Sequence, residues 1–317
     1  MPHHDSVPPT SRPGPRRRPV FTAAALAGVC LTAAGCAGDG GQEPGAAAGT
    51  ATRPAASPAP PSPASSPSPS PRQSSAAAPG PSAGSTSSRP LPRGPLTGRT
   101  VVIDPGHNPG NRDHTREINS QVDIGTGRKE CDTTGTSTNA GYAEARFTLD
   151  VSRRLRTLLE EQGAKVVLTQ DGDRAFGPCV DERARIGNSA KADAVVSVHA
   201  DGSATGNRGF HVILPAAVKG GAADTAKIVA PSRELGVRIA GNFVRVTGSA
   251  PSNYIGGGTG LDTRDDLGGL NLSTVPKVFI ECGNMRDPED AALLTSAGWR
   301  QKAALGVAEG IGSYLKR

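Results

Sequence analysis

The 317-residue chain is poor in aromatic side chains, with one Trp, three Tyr and six Phe. Between Ala37 and Arg93 apolar bulk is almost missing: Leu91 is the only large apolar residue among Ala, Gly, Ser, Thr and Pro. Burial there would not offset the entropy of ordering the backbone, so this stretch excludes a folded core. A transmembrane helix is excluded on similar grounds, because the apolar run Val20 to Gly35 falls short of the roughly 20 residues a bilayer needs. The net charge is +6, yet a basic stripe is also lacking. Eight Arg against Asp5, Asp39 and Glu43 give +5 before Leu96, and the remainder carries 27 basic and 26 acidic residues. With neither a basic face nor interleaved aromatics, no nucleic-acid partner is expected.

Residues 1–36 read as an export signal. Arg16-Arg17-Arg18 forms a charged start, the apolar run comes next, and small residues lead to Cys36. The segment resembles a bacterial lipoprotein signal, which makes Cys36 the lipidated first residue of the mature chain and the membrane a partner through that anchor. Ordinary cleavage nearby, giving a freely secreted protein, is the alternative. Arg17-Arg18-Pro19-Val20-Phe21 also resembles a twin-arginine signal. Every one of these readings exports the chain, to the outer face of the cytoplasmic membrane or the cell wall. Residues 37–95, with runs such as Ser66-Pro67-Ser68-Pro69-Ser70-Pro71, read as a disordered, semi-extended linker. It would hold the C-terminal domain on the order of 40 to 180 Å from an anchor.

Residues 96–317 read as a single α/β domain with a central, mostly parallel twisted sheet flanked by helices. Thr100-Val101-Val102-Ile103 is a buried strand running into Asp104-Pro105-Gly106, a turn that leaves His107 just past the strand's C-terminal edge. Asn108 to Ala140 is polar and without apolar periodicity, a structureless insertion. Phe147, Val151, Leu155, Leu158 and Leu159 then mark one helical face up to Gly163, with Glu144 in the first turn. The helix dipole alone accounts for a carboxylate there. A strand over 164–169 and a helix over 181–190 come next. Ala194-Val195-Val196-Ser197-Val198-His199 repeats the opening design, a strand delivering a histidine at its end. If the two strands are parallel neighbours, both imidazoles enter one crevice. His211 sits in mid-strand and reads as core or as a support behind the ligands rather than as a ligand, and His114 reads as solvated. A helix opens at Pro231-Ser232, a Gly-rich loop spans 256–260, and Val275 to Ile280 forms the last strand, ending in Glu281 before a closing helix over 299–315.

In an exported protein the polar, turn-like settings of Cys131 and Cys179 make them the natural disulfide pair. Cys282, in an apolar run, reads as a small buried side chain; a cysteine-nucleophile peptidase is the competing reading.

Three strand ends and a helix start thus offer His107, Glu144, His199 and Glu281. Two imidazoles with one carboxylate are the ligand set of a catalytic Zn²⁺, and a second carboxylate can move protons. The first three lie 37 and 55 residues apart and form no compact motif. The segments Val102 to His107, Glu144 opening its helix, Ser197 to Asp201 and Val275 to Glu281, in that order, resemble the zinc-dependent N-acetylmuramoyl-L-alanine amidases of bacterial cell-wall turnover. The resemblance implies that His107, Glu144 and His199 bind one Zn²⁺ and that Glu281 is the catalytic carboxylate. It also implies a peptidoglycan or muropeptide substrate, cut between N-acetylmuramic acid and L-alanine. Asp181-Glu182-Arg183 fits it too, with Arg183 as a structural ion-pair partner. Two departures are Asn108-Pro109, where many relatives have Gly-Gly, and Cys282-Gly283-Asn284-Met285, which lacks an aromatic. A zinc peptidase acting within the stem peptide and a non-catalytic wall-binding module remain the alternatives.

Overall fold

A computed structural model describes residues 93–316; the leader, Cys36 and the linker up to residue 92 lie outside the described residues. In chain order the elements are β1 (Thr100–Pro105), α1 (Thr115–Ile118), β2 (Gln121–Asp123), β3 (Arg128–Glu130), α2 (Glu144–Glu161), β4 (Lys165–Leu168), α3 (Val180–Ser189) and β5 (Ala194–Asp201). They continue with β6 (His211–Pro215), β7 (Lys219–Gly220), β8 (Ala223–Asp224), α4 (Val229–Thr247), β9 (Leu261–Arg264), α5 (Gly268–Asn271), β10 (Lys277–Asn284), α6 (Pro288–Thr295) and α7 (Ala297–Leu315).

The central sheet has the order β4-β1-β5-β10-β6-β9. β4, β1, β5 and β10 run parallel, and β6 turns the direction by pairing antiparallel with β10. The inner parallel strands β1 and β5 are buried on both faces and mostly apolar, as cover by helices on two sides requires. α2, α4 and α7 cover one face and α3 the other. α2 shows why the layers hold: Phe147, Val151, Leu155 and Leu159 are fully buried at helical spacing, each contributing roughly 1.5–3 kcal/mol relative to exposure.

Several expectations need revision. Asp104 is a buried residue of β1 and belongs to no turn. The segment after His107 is not structureless: it holds a 3-10 turn at Asn111–Asp113, α1 and the β2–β3 hairpin. His211 starts its strand, while Glu281 lies inside β10, which continues past a register shift to Asn284. β9 and α6 occupy stretches whose short apolar patterns carry little periodic signal. His114 is two-thirds covered and packs on Phe176, with ring centroids 5.2 Å apart.

Candidate active site

β1 and β5 are parallel neighbours, and so are β5 and β10, so their C-terminal ends form one edge. His107 follows β1, His199 lies near the end of β5, and Glu144 opens α2 directly behind them. Gly106 permits the close approach: a Cβ there would sit 2.2 Å from the His199 ring. Glu144 is buried, and its two oxygens divide between the histidines. Oε2 lies 3.1 Å from His107 Nε2, and Oε1 lies 3.0 Å from His199 Nδ1. The backbone N–H groups of Thr136 and Ala200 donate to the same carboxylate at 2.9 and 3.2 Å. The two imidazoles meet edge to face with centroids 5.0 Å apart, and His199 stacks on Phe279 at 5.3 Å.

One donor atom from each of His107, Glu144 and His199 lies within 4.8 Å of the others, a group able to hold a metal ion. The donor chemistry fits zinc, with two imidazole nitrogens and one carboxylate oxygen. Electrostatics agree. Burial works against charge on His107, yet the Glu144 carboxylate and Asp132 raise its pKa to about 10. Burial likewise opposes the charge on Glu144, and the two imidazoles hold it well below the ordinary carboxylate range. A buried carboxylate facing two imidazole nitrogens makes an electron-rich pocket that suits a cation.

Glu281 stands beside His199 in the β10–β5 register and opposite His211 in the β10–β6 register, so the sheet presents all three together. Its Oε2 is buried without a hydrogen-bond partner. Burial, then the charges of Glu144 and Asp201, push its carboxyl well above the ordinary range. A carboxyl raised in this way suits a group that takes up a proton and gives it back. Cys282, next in the strand, points the opposite way into the apolar core, and burial pushes its thiol up, which removes the nucleophile reading. Cys131 and Cys179 form a disulfide.

Several residues around the site carried no sequence signal of their own. Asp104 is buried between Lys277, Arg183, Ser197 and Thr169, at 3.0, 2.8, 2.6 and 2.7 Å. Arg183 is the expected ion-pair partner, and it joins two acids, Asp104 and Asp132. Asp132 beside Cys131, and Phe279 two residues before Glu281, were readable only as neighbours of residues already singled out. A cavity of about 200 Å³ opens beside His107 and His199, walled by Val180, Leu267, Phe279 and the β3 residues Lys129 and Glu130.

A mostly parallel sheet with two imidazoles and a carboxylate gathered at its C-terminal edge is the framework of an α/β enzyme domain whose reactive centre can hold a metal. The chain belongs to the N-acetylmuramoyl-L-alanine amidase family, whose model matches residues 101–313. It is 41% identical over 225 residues to the N-acetylmuramoyl-L-alanine amidase Rv3717 of Mycobacterium tuberculosis, covering 69% of this chain and 88% of that protein. The amidase AmiA of Escherichia coli is 26% identical over 244 residues, covering 68% and 76% respectively. Among solved structures, the amidase Ami1 of Mycobacterium smegmatis aligns with a TM-score of 0.63 at 40% identity, over 69% of this chain and 98% of that one.

Proposed function

We propose that the protein is a zinc-dependent N-acetylmuramoyl-L-alanine amidase that hydrolyses the amide between the lactyl group of N-acetylmuramic acid and L-alanine in peptidoglycan. The convergence of His107, Glu144 and His199 beside Glu281, in a chain of this amidase family, carries the reading. The three ligands would hold one Zn²⁺, which when bound polarises the amide carbonyl and acidifies water. Glu281 takes the proton of the attacking water on its carboxylate as the C–O bond forms. It then gives that proton to the amide nitrogen as the C–N bond breaks, so L-alanine leaves as a neutral amine. Phe279 keeps the His199 ring in plane, and the Thr136 and Ala200 N–H groups fix Glu144 so that its oxygens stay aimed at the imidazoles. By this reading residues 1–36 export the chain, Cys36 carries the anchoring lipid, residues 37–95 are the tether and residues 96–317 the enzyme. No helix among the described residues is long and apolar enough to cross a membrane.

Digestion of purified muropeptides, read by mass spectrometry with and without a chelator, tests the activity. Free lactyl ends that vanish with chelator are expected. Products split within the stem peptide would replace this reading with that of a peptidase, and intact muropeptides would sink it.

A further inference from the structure

The insertion between His107 and Glu144 turns back onto the first histidine. His107 Nε2 faces Glu144, while Nδ1 points away to the carbonyl and the hydroxyl of Thr133, both at 3.1 Å, with Asp132 Oδ1 at 3.6 Å. The Thr133 carbonyl also accepts from Asn111 at 2.7 Å, and the Thr133 N–H donates to Asp132 at 2.8 Å. Asp132 Oδ2 accepts from Arg183 at 2.8 Å, and both side chains are buried. Arg183 also donates to the backbone carbonyls of Pro105 and His107. The ring and the main chain of His107 are therefore both held by one connected group. Its backbone needs that grip, because φ is +61°, a left-handed conformation that a side chain with a Cβ holds only when its surroundings impose it.

What keeps Asp132 and Thr133 there is covalent. Cys131 is bonded to Cys179, the residue that precedes α3, and the Cys131 carbonyl accepts the Val180 N–H at 2.8 Å. Arg183 lies one helical turn further on, its N–H bonded to the Cys179 carbonyl at 2.9 Å. The disulfide thus ties the strand of chain carrying Asp132 and Thr133 to the helix carrying Arg183.

From this connection we infer that Asp132 and Thr133 are positioning residues for His107, and that the Cys131–Cys179 disulfide clamps this outer partner so that the metal site is formed in advance. The inference rests on the reading of His107 as a metal ligand. It assigns the long insertion a task at the metal site, beyond adding stability. Outer partners of this kind are worth about 10- to 100-fold in metal affinity.

The test measures Zn²⁺ affinity by competition with a chromogenic chelator in the full chain. It compares the unaltered protein with Cys131→Ser/Cys179→Ser, Asp132→Ala, the shape-preserving Asp132→Asn, and His107→Ala, with near-UV circular dichroism reporting whether each is folded. About 10- to 100-fold weaker zinc binding is expected in folded Asp132→Ala and in the double cysteine variant. If the cysteine variant does not fold, the two Asp132 variants decide. Zinc affinity within twofold of the unaltered protein in the folded variants, while His107→Ala loses the metal, overturns this inference and leaves the ligand assignment standing. Unchanged zinc binding in His107→Ala would instead overturn the assignment itself.

Discussion

Lys277 Nζ lies 3.0 Å from Asp104 Oδ2, and each residue is 1% exposed. The pair joins the middle of the sheet to the strand that delivers His107, and Arg183 occupies the other oxygen of the same carboxylate. Asp104→Asn removes one negative charge and leaves two buried cations short of a partner. Unfolding in urea should show a loss of about 3–5 kcal/mol, the scale of a broken buried pair. A change below about 1 kcal/mol, the scale of an exposed pair, would contradict the role assigned to Asp104.

The same acids set the response to low pH. Burial opposes the charge on Asp104, yet Lys277, Arg183 and two hydroxyls hold its carboxyl well below the ordinary range. Burial opposes the charge on Asp132 as well, yet Arg183, His107 and Asn111 together bring its pKa down to about 2. Both folded values lie under the unfolded value of about 3.9, so their contribution is complete above that pH and is lost as the pH falls toward 2. The melting temperature should therefore hold near pH 5 and drop steeply below pH 4, with a shallower drop in Asp104→Asn. A melting temperature constant from pH 5 to 2 would rule this out.

Gly135 packs against the ligands themselves. Its φ is +72°, and a Cβ there would come within 2.7 Å of both Glu144 Oε2 and His107 Cδ2. Gly135→Ala should weaken zinc binding by about tenfold or more while circular dichroism stays that of a folded domain, as disturbed ligand support does elsewhere. Titration with the chelator would reveal it.

Glu281→Gln keeps the size of the side chain and removes its proton chemistry. Bound zinc should remain near one per chain by atomic emission, and muropeptide cleavage should fall by about 10²- to 10⁴-fold. His199→Ala should do the reverse first, losing the metal and with it the activity. Full cleavage by Glu281→Gln would remove Glu281 from the mechanism.

The strands ending near His107 and His199, the helix opened by Glu144 and the disulfide pair were all legible in the chain, because each rests on local chemistry. An apolar β-prone run, a 3.6-residue period and cysteines in polar turns are read from neighbouring residues. The hairpin inside the 108–140 insertion was not legible: its three-residue strands carry no period long enough to register. The continuation of β10 past Glu281 escaped for a related reason, since Gly283 interrupts the apolar run and only the pairing of Asn284 with Asp201 of β5 carries the strand on.

The sequence by itself determined which side chains reach the edge of the sheet, since strand ends and helix starts are local properties. Only the tertiary structure decided that one Glu144 carboxylate spans both imidazoles, that Arg183 joins Asp104 to Asp132, and that Thr133 grips His107 from behind. Those contacts link residues 26 to 79 positions apart. They exist because sheet order and one disulfide bring distant segments together, and no pattern along the chain encodes that.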